Sequence, residues 1–218
     1  MKERGILFSA PMVRAILAGR KTQTRRVITH TDALFADAWA FDPERGDWEI
    51  GIRGDSGSLA SVGRLRCPYG APGDRLWVRE TWRLTQHAHD AEAAGMAWAL
   101  RGPRYEYRAD PAIADKTEWK PSIHMPRGAS RITLEVTQIR VERLHDISEE
   151  DARAEGVTLG EPLPAVVNGE RGTVAYFDAR TAFCHLWNQI NGERAPWADN
   201  CWVWVISFKR VEKGTVTT

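Results

Sequence analysis

Membrane-length apolar runs are missing from this 218-residue sequence. No stretch approaches the roughly 18 residues that a spanning helix needs, so no membrane partner is expected. Gly-rich phosphate loops are missing too. Neither GxGxxG nor the P-loop pattern occurs, and the long βαβ rhythm of a dinucleotide-binding domain is absent, so no cofactor is expected. Cysteine is scarce. Cys67, Cys184 and Cys201 are odd in number and share no CxxC spacing, which argues against a disulfide framework or a zinc site and fits reduced cytoplasmic thiols. No internal repeat or low-complexity tract interrupts the chain. The opening, "MKERGILFSAPM", is charged at once, so a secretory signal is not expected.

What is present suits a globular chain with a real core: 43% hydrophobic and 27% charged residues. The net charge of +1 hides an asymmetry. Residues 1–30 carry Lys2, Arg4, Arg14, Arg20, Lys21, Arg25 and Arg26 against Glu3 alone, seven minus one, or +6. Such a block is either a solvated basic face or an attractor of phosphate and RNA.

"SAPMVRAILAGR" predicts a short helix, with Ser9 as cap, Pro11 in the first turn, Met12, Val13, Ile16 and Leu17 as an apolar stripe, and Gly19 past the end. "WAFDPERGDWEIGIRGDSG" predicts a hairpin around Pro43 to Gly46. A strand is expected from about Arg75 to Thr81, with Leu76 and Val78 on one face. In "ASRITLEVTQIRVERL" the alternation slips one residue after Val136, which predicts a bulge or sharp bend. "ISEEDARAEGV" reads as a short helix capped by Ser148 and stopped by Gly156. Phe183, Leu186, Trp187 and Ile190 have helical spacing, and "CWVWVISFKRV" reads as a central strand. The class expected is α+β, with a small closed or half-closed sheet. A single domain over 1–218 is expected, with insertions at about 30–66 and 83–118.

The run "LAGRKTQTRR", residues 17–26, is the strongest site. Lys21 and Thr24 point to opposite faces of a straight strand and converge only if the chain turns after Gly19. A threonine hydroxyl attacks well only when a base takes its proton. Lysine is that base only when neutral, and lowering its pKa from about 10.4 to about 7.5 costs roughly 4 kcal/mol. Burial and the neighbouring arginines push in that direction. The alternative is an exposed lysine contacting phosphate beside an ordinary strand threonine.

"LAGRKTQTRR", "PGDRLWVRE", "ITLEVTQIRVERLHDISEEDARAEGV" and "CWVWVISFKRV" together resemble the ASCH family. The long form with "KPSIHMPRGASRITLEV" is similar to members carried by phages and prophages. The resemblance implies a small PUA-like β-barrel with short flanking helices. Small bacterial members include an N4-acetylcytidine amidohydrolase. Carried over by position, its catalytic set implies Lys21, Thr24 and Glu155. Thr24 then attacks the acyl carbonyl or positions a water, and Glu155 carries a proton to the leaving amine. Either Lys21 is the base, or it stays charged and stabilises the oxyanion while Glu155 is the base. The substrate implied is N4-acetylcytidine or a related modified pyrimidine nucleoside. A non-catalytic RNA-binding module and a ribonuclease are the alternatives.

Arg25 and Arg26 are expected to hold substrate in a positive field. Glu80, in "VRETW", is either a base-edge acceptor or a surface salt pair. Trp82 and Trp77 are candidates for base stacking, whereas Trp187, Trp202 and Trp204 fit a core. His124, with Lys120 and Arg127, either binds phosphate or belongs to a rigid Pro-flanked loop. His87 and His89 suit a shared metal on a strand, but no third ligand follows, so no metal is expected.

Overall fold

The computed structural model describes residues 1–30, 36–53, 58–96, 102–110, 118–160, 162–167 and 170–212. Parts of both expected insertions lie outside these residues. In chain order the described strands are β1 (Glu3–Leu7), β2 (Gln23–Val27), β3 (Ala38–Asp42), β4 (Asp47–Arg53), β5 (Leu59–Leu65) and β6 (Arg75–Arg79). They continue with β7 (Trp82–Leu84), β8 (Tyr105–Tyr107), β9 (Thr133–Arg143), β10 (Pro162–Val167), β11 (Glu170–Ala175) and β12 (Trp202–Val211). The helices are α1 (Ala10–Leu17), α2 (Gln86–Ala93), α3 (Glu149–Ala154) and α4 (Ala179–Asn191). The class is α+β with mixed sheets. No described helix is long and apolar enough to cross a membrane.

The chain forms two compact units. Unit 1 comprises Met1–Gly19, Asp74–Glu135 and Lys209–Thr218; unit 2 comprises Arg20–Gly73 and Val136–Phe208. In unit 1, β1 runs parallel to β6, and β6 pairs antiparallel with the first residues of β9. Leu76 and Val78 are buried, as their alternation predicts. In α1, Val13 and Ile16 are buried, Met12 is half-buried and Leu17 is exposed. Trp82, on β7, packs with Met125 and Ala129 and against Tyr105 and Tyr107 of β8, with which β7 pairs across α2.

His87 and His89 lie on α2, not on the strand that a shared metal at that spacing would need. Thr85 accepts a hydrogen bond from the Ala88 N–H and starts that helix. Residues at i, i+2 on a helix do not face each other. No metal-binding group of three or more ligands occurs among the described residues.

In unit 2, β12 lies between β9 and β2 in the sheet, and β2 pairs antiparallel with it. Val203, Trp204, Val205 and Ile206 are buried, so β12 is covered on both faces. β3, β4 and β5 form an antiparallel meander, and the first turn falls at Pro43 to Gly46, with Gly46 at φ +66°. β10 and β11 pair only with each other among the described strands. Phe183 and Trp187 of α4 pack with Leu144, Ile147, Ala152, Val203 and Val205 in one core. β9 continues from Thr133 to Arg143 past the slip in its pattern, with Leu134 and Val136 its buried residues.

Candidate active site

The basic run follows α1 because Gly19, at φ +72°, turns the chain where other residues are strained. The next residues are fastened to the end of α3. The Thr22 N–H donates to the Ala154 carbonyl at 2.9 Å, and the Phe208 N–H donates to the Thr22 carbonyl at 2.8 Å. Arg20 donates to Thr158 Oγ1 at 2.8 Å. These bonds turn the Lys21 side chain inward, where it is wholly buried.

Lys21 Nζ donates to Glu155 Oε2 and to the Glu155 carbonyl, both at 2.8 Å. Glu155 caps the C-terminus of α3, so the ammonium also meets the negative end of the helix. Burial pushes the Lys21 pKa below its ordinary value; Glu155 opposes this, and Arg26 and Arg25 add to it. The group is therefore closer to giving up its proton than a solvated lysine.

Arg25 joins the same cluster. Its Nη1 lies 3.3 Å from Glu155 Oε1, and its Nη2 lies 3.1 Å from Glu142 Oε2 and 2.9 Å from Asp151 Oδ2. Arg140 bridges the last two, at 2.6 Å to Glu142 Oε1 and 2.8 Å to Asp151 Oδ2. Lys21, Arg25 and Arg140 thus meet Glu142, Asp151 and Glu155, three positive charges against three negative.

Thr24 is buried on β2, opposite Ile206. Strand alternation turns it away from Arg25. The structure therefore brings Lys21, Glu155 and Arg25 into one ion cluster without placing Thr24 in it. Arg26 shares the Thr24 face and is half-buried opposite Trp204. Burial lowers its pKa, and attraction from Tyr69 and Glu155 opposes the shift. Arg26 is thus within electrostatic reach of Glu155. Trp204 makes edge contacts at 6.1 Å with Trp39 and 6.0 Å with Trp48. The β3–β5 meander therefore packs aromatic rings against Trp204, the strand partner of Arg26.

Glu80, Trp82 and His124 belong to unit 1. Glu80 is 1% exposed and takes a bidentate pair from Arg131, at 2.9 and 3.0 Å. Burial raises its pKa against the pull of Arg131. The Trp82 ring is in the core, with the Lys120 ammonium 5.2 Å from its centroid. Trp77 is half-buried, with the guanidinium groups of Arg79 and Arg127 at 5.4 and 6.0 Å from its ring centroid. His124 is exposed on a single 3-10 turn. A cavity of about 650 Å³ in unit 1 is lined by Arg83, Trp119 and Lys120 among others; Lys120 was a candidate phosphate contact, whereas Glu80, Trp82 and His124 do not line it.

Asp151, Glu142 and Arg140 were not expected at the site. Their signal was present: Arg140 and Glu142 are two apart on a strand, and Asp151 and Glu155 are four apart along α3, so each pair shares a face. Comparisons with protein-family models, curated proteins and solved structures find no match to this chain.

Proposed function

We propose that this chain is an ASCH-type, PUA-like domain that hydrolyses the amide of N4-acetylcytidine or a related N4-acylated pyrimidine nucleoside. The observation that supports it is the buried Lys21–Glu155 pair at 2.8 Å. These are two of the three residues that the sequence resemblance implies, 134 positions apart in the chain. A buried lysine–carboxylate pair both takes and returns a proton, as amide hydrolysis requires.

In this reading the Thr24 hydroxyl, or a water it orients, adds to the acyl carbonyl. Because Thr24 lies on the other strand face from Arg25, the proton reaches the Lys21–Glu155 pair through a water or the substrate. The C–N4 bond then breaks, and the pair returns the proton to the leaving amine. When Thr24 is the nucleophile, water hydrolyses the acyl-threonine in a second round. The products are cytidine and the carboxylic acid. Arg26 and the half-buried rings of Trp39 and Trp48 suit a planar, polar base.

The test is cytidine release from N4-acetylcytidine, followed by chromatography. Thr24→Ala and Lys21→Ala should each lose about 100-fold or more of turnover. Their double variant should be hardly worse, because groups acting as one unit are not additive. Lys21→Arg keeps charge but gives up no proton, so near-wild-type turnover in that variant would leave Lys21 as an oxyanion contact and make Glu155 the base. A folded wild-type protein that releases no cytidine overturns the reading.

A further inference from the structure

We propose that Arg25 is a positioning residue, which fixes the Glu155 carboxylate against Lys21 through a closed ring of ion pairs. The ring runs from Arg25 to Glu142, to Arg140, to Asp151 and back to Arg25. It ties together β2, β9 and α3. Within it two arginines balance two carboxylates, so Arg25 reaches Glu155 with its charge largely offset. Lys21 and Glu155 remain as one further pair.

The geometry divides the labour at Glu155. Its Oε2 is held by Lys21 and its Oε1 by Arg25. One ion pair alone leaves a carboxylate able to turn about its last bond; two donors on different oxygens fix its plane. The planar guanidinium is suited to this, because its N–H groups point in set directions, whereas a lysine ammonium is a point charge. The Arg25 side chain is wholly buried and its guanidinium lies 5.9 Å from the Phe183 ring centroid, so its own direction is set by packing. Asp151 and Glu142 are partly exposed and hold the outer Nη2. The catalytic consequence rests on the amidohydrolase reading; the positioning of Glu155 does not.

Two variants separate these statements. Asp151→Asn loosens Arg25 through its side chain and keeps the backbone bond from the Glu155 N–H to the carbonyl of residue 151, 2.9 Å in the wild type, and Arg25→Lys keeps charge without the fork. Two readouts are taken on protein shown to be folded by circular dichroism: the slowly exchanging ammonium resonance of Lys21, assigned by its loss in Lys21→Arg, and kcat and KM on N4-acetylcytidine. The wild type should show the resonance. In both variants it should broaden away, and kcat should fall about 10- to 100-fold while KM stays within about twofold. Should Arg25→Lys not fold, Asp151→Asn decides alone. A folded variant that keeps both the resonance and kcat overturns the proposal, as does a wild type without the resonance. If the wild type releases no cytidine, the resonance still decides. Its loss in the variants upholds the positioning while the activity reading falls, and its retention removes both.

Discussion

Lys21 carries a cost and a use at one atom. A charged group taken out of water is penalised, and the ion pair with Glu155 offsets that only in part, because burial still pulls the Lys21 pKa below its ordinary 10.5. The sign of the linkage follows. Between the folded and the unfolded values the unfolded chain binds more protons, so this group makes stability rise with pH across that window. Lys21→Met has no such group. The wild-type melting temperature minus that of Lys21→Met should therefore grow as pH rises toward the ordinary lysine value of 10.5. A flat or falling difference would mean that the ammonium is not desolvated. Lys21 and Glu155 were legible in the sequence only through motif resemblance, since nothing local brings residues 134 apart together. Asp151 was legible as a helix residue after its cap, but its charge partners lie on β2 and β9, and spacing on one element does not reveal them. Glu80 shows the same blindness: its neighbours Arg79 and Trp82 were in view, yet its partner is Arg131.

Helix ends are the most local features of this chain: both ends of α3 were read, whereas Ser9 starts α1 without a side-chain cap bond. The limits of α3 follow from Ser148, whose Oγ accepts from the Asp151 N–H at 3.1 Å, and from Gly156 at φ +90°. Six residues do not hold a helix in water by themselves, so α3 depends on these ends and on Ala152 in the core. Glu149 adds a tie to α4, accepting from the Ala179 and Arg180 N–H groups at 2.9 and 3.0 Å. Ser148→Ala should cost about 1 kcal/mol. Gly156→Ala should cost about 1–2 kcal/mol, because a Cβ is strained at positive φ. Urea titration with an unchanged slope measures both. A Gly156→Ala protein as stable as wild type would show that the turn after Glu155 relaxes freely. Strands were less legible than helix ends. The alternation in β6 and the apolar run of β12 gave their existence, but α2 was missed because "HAHDAEAA" lacks an apolar stripe and is started by the Thr85 cap.

At the scale of the whole molecule, partner choice among strands is what local pattern cannot supply. β1 pairs with β6 and β2 with β12 because burial selects those partners, and each pair is separated by most of a unit's length in sequence. Unit 1 gathers three separated stretches for the same reason. Charge follows the same rule. Part of the +6 of residues 1–30 is neutralised inside the fold, while Lys2, Arg14 and Arg20 stay exposed. Arg4 is held by Asp74 at 3.0 Å, Lys21 by Glu155, and Arg25 by three carboxylates. A cation already matched inside the protein releases no counterion when RNA approaches, and each phosphate contact on a single strand is worth a slope of about −0.7 in log K against log salt. Arg25→Gln should therefore leave that slope unchanged for a labelled single-stranded RNA, whereas Arg20→Gln, at an exposed position, tests the same quantity where phosphate has access. Fluorescence anisotropy across a salt series reads both. Lack of binding at low salt agrees with a neutralised block. A slope weakened by about 0.7 in folded Arg25→Gln would put this guanidinium on a phosphate, and its three carboxylate partners would then have to open when RNA binds.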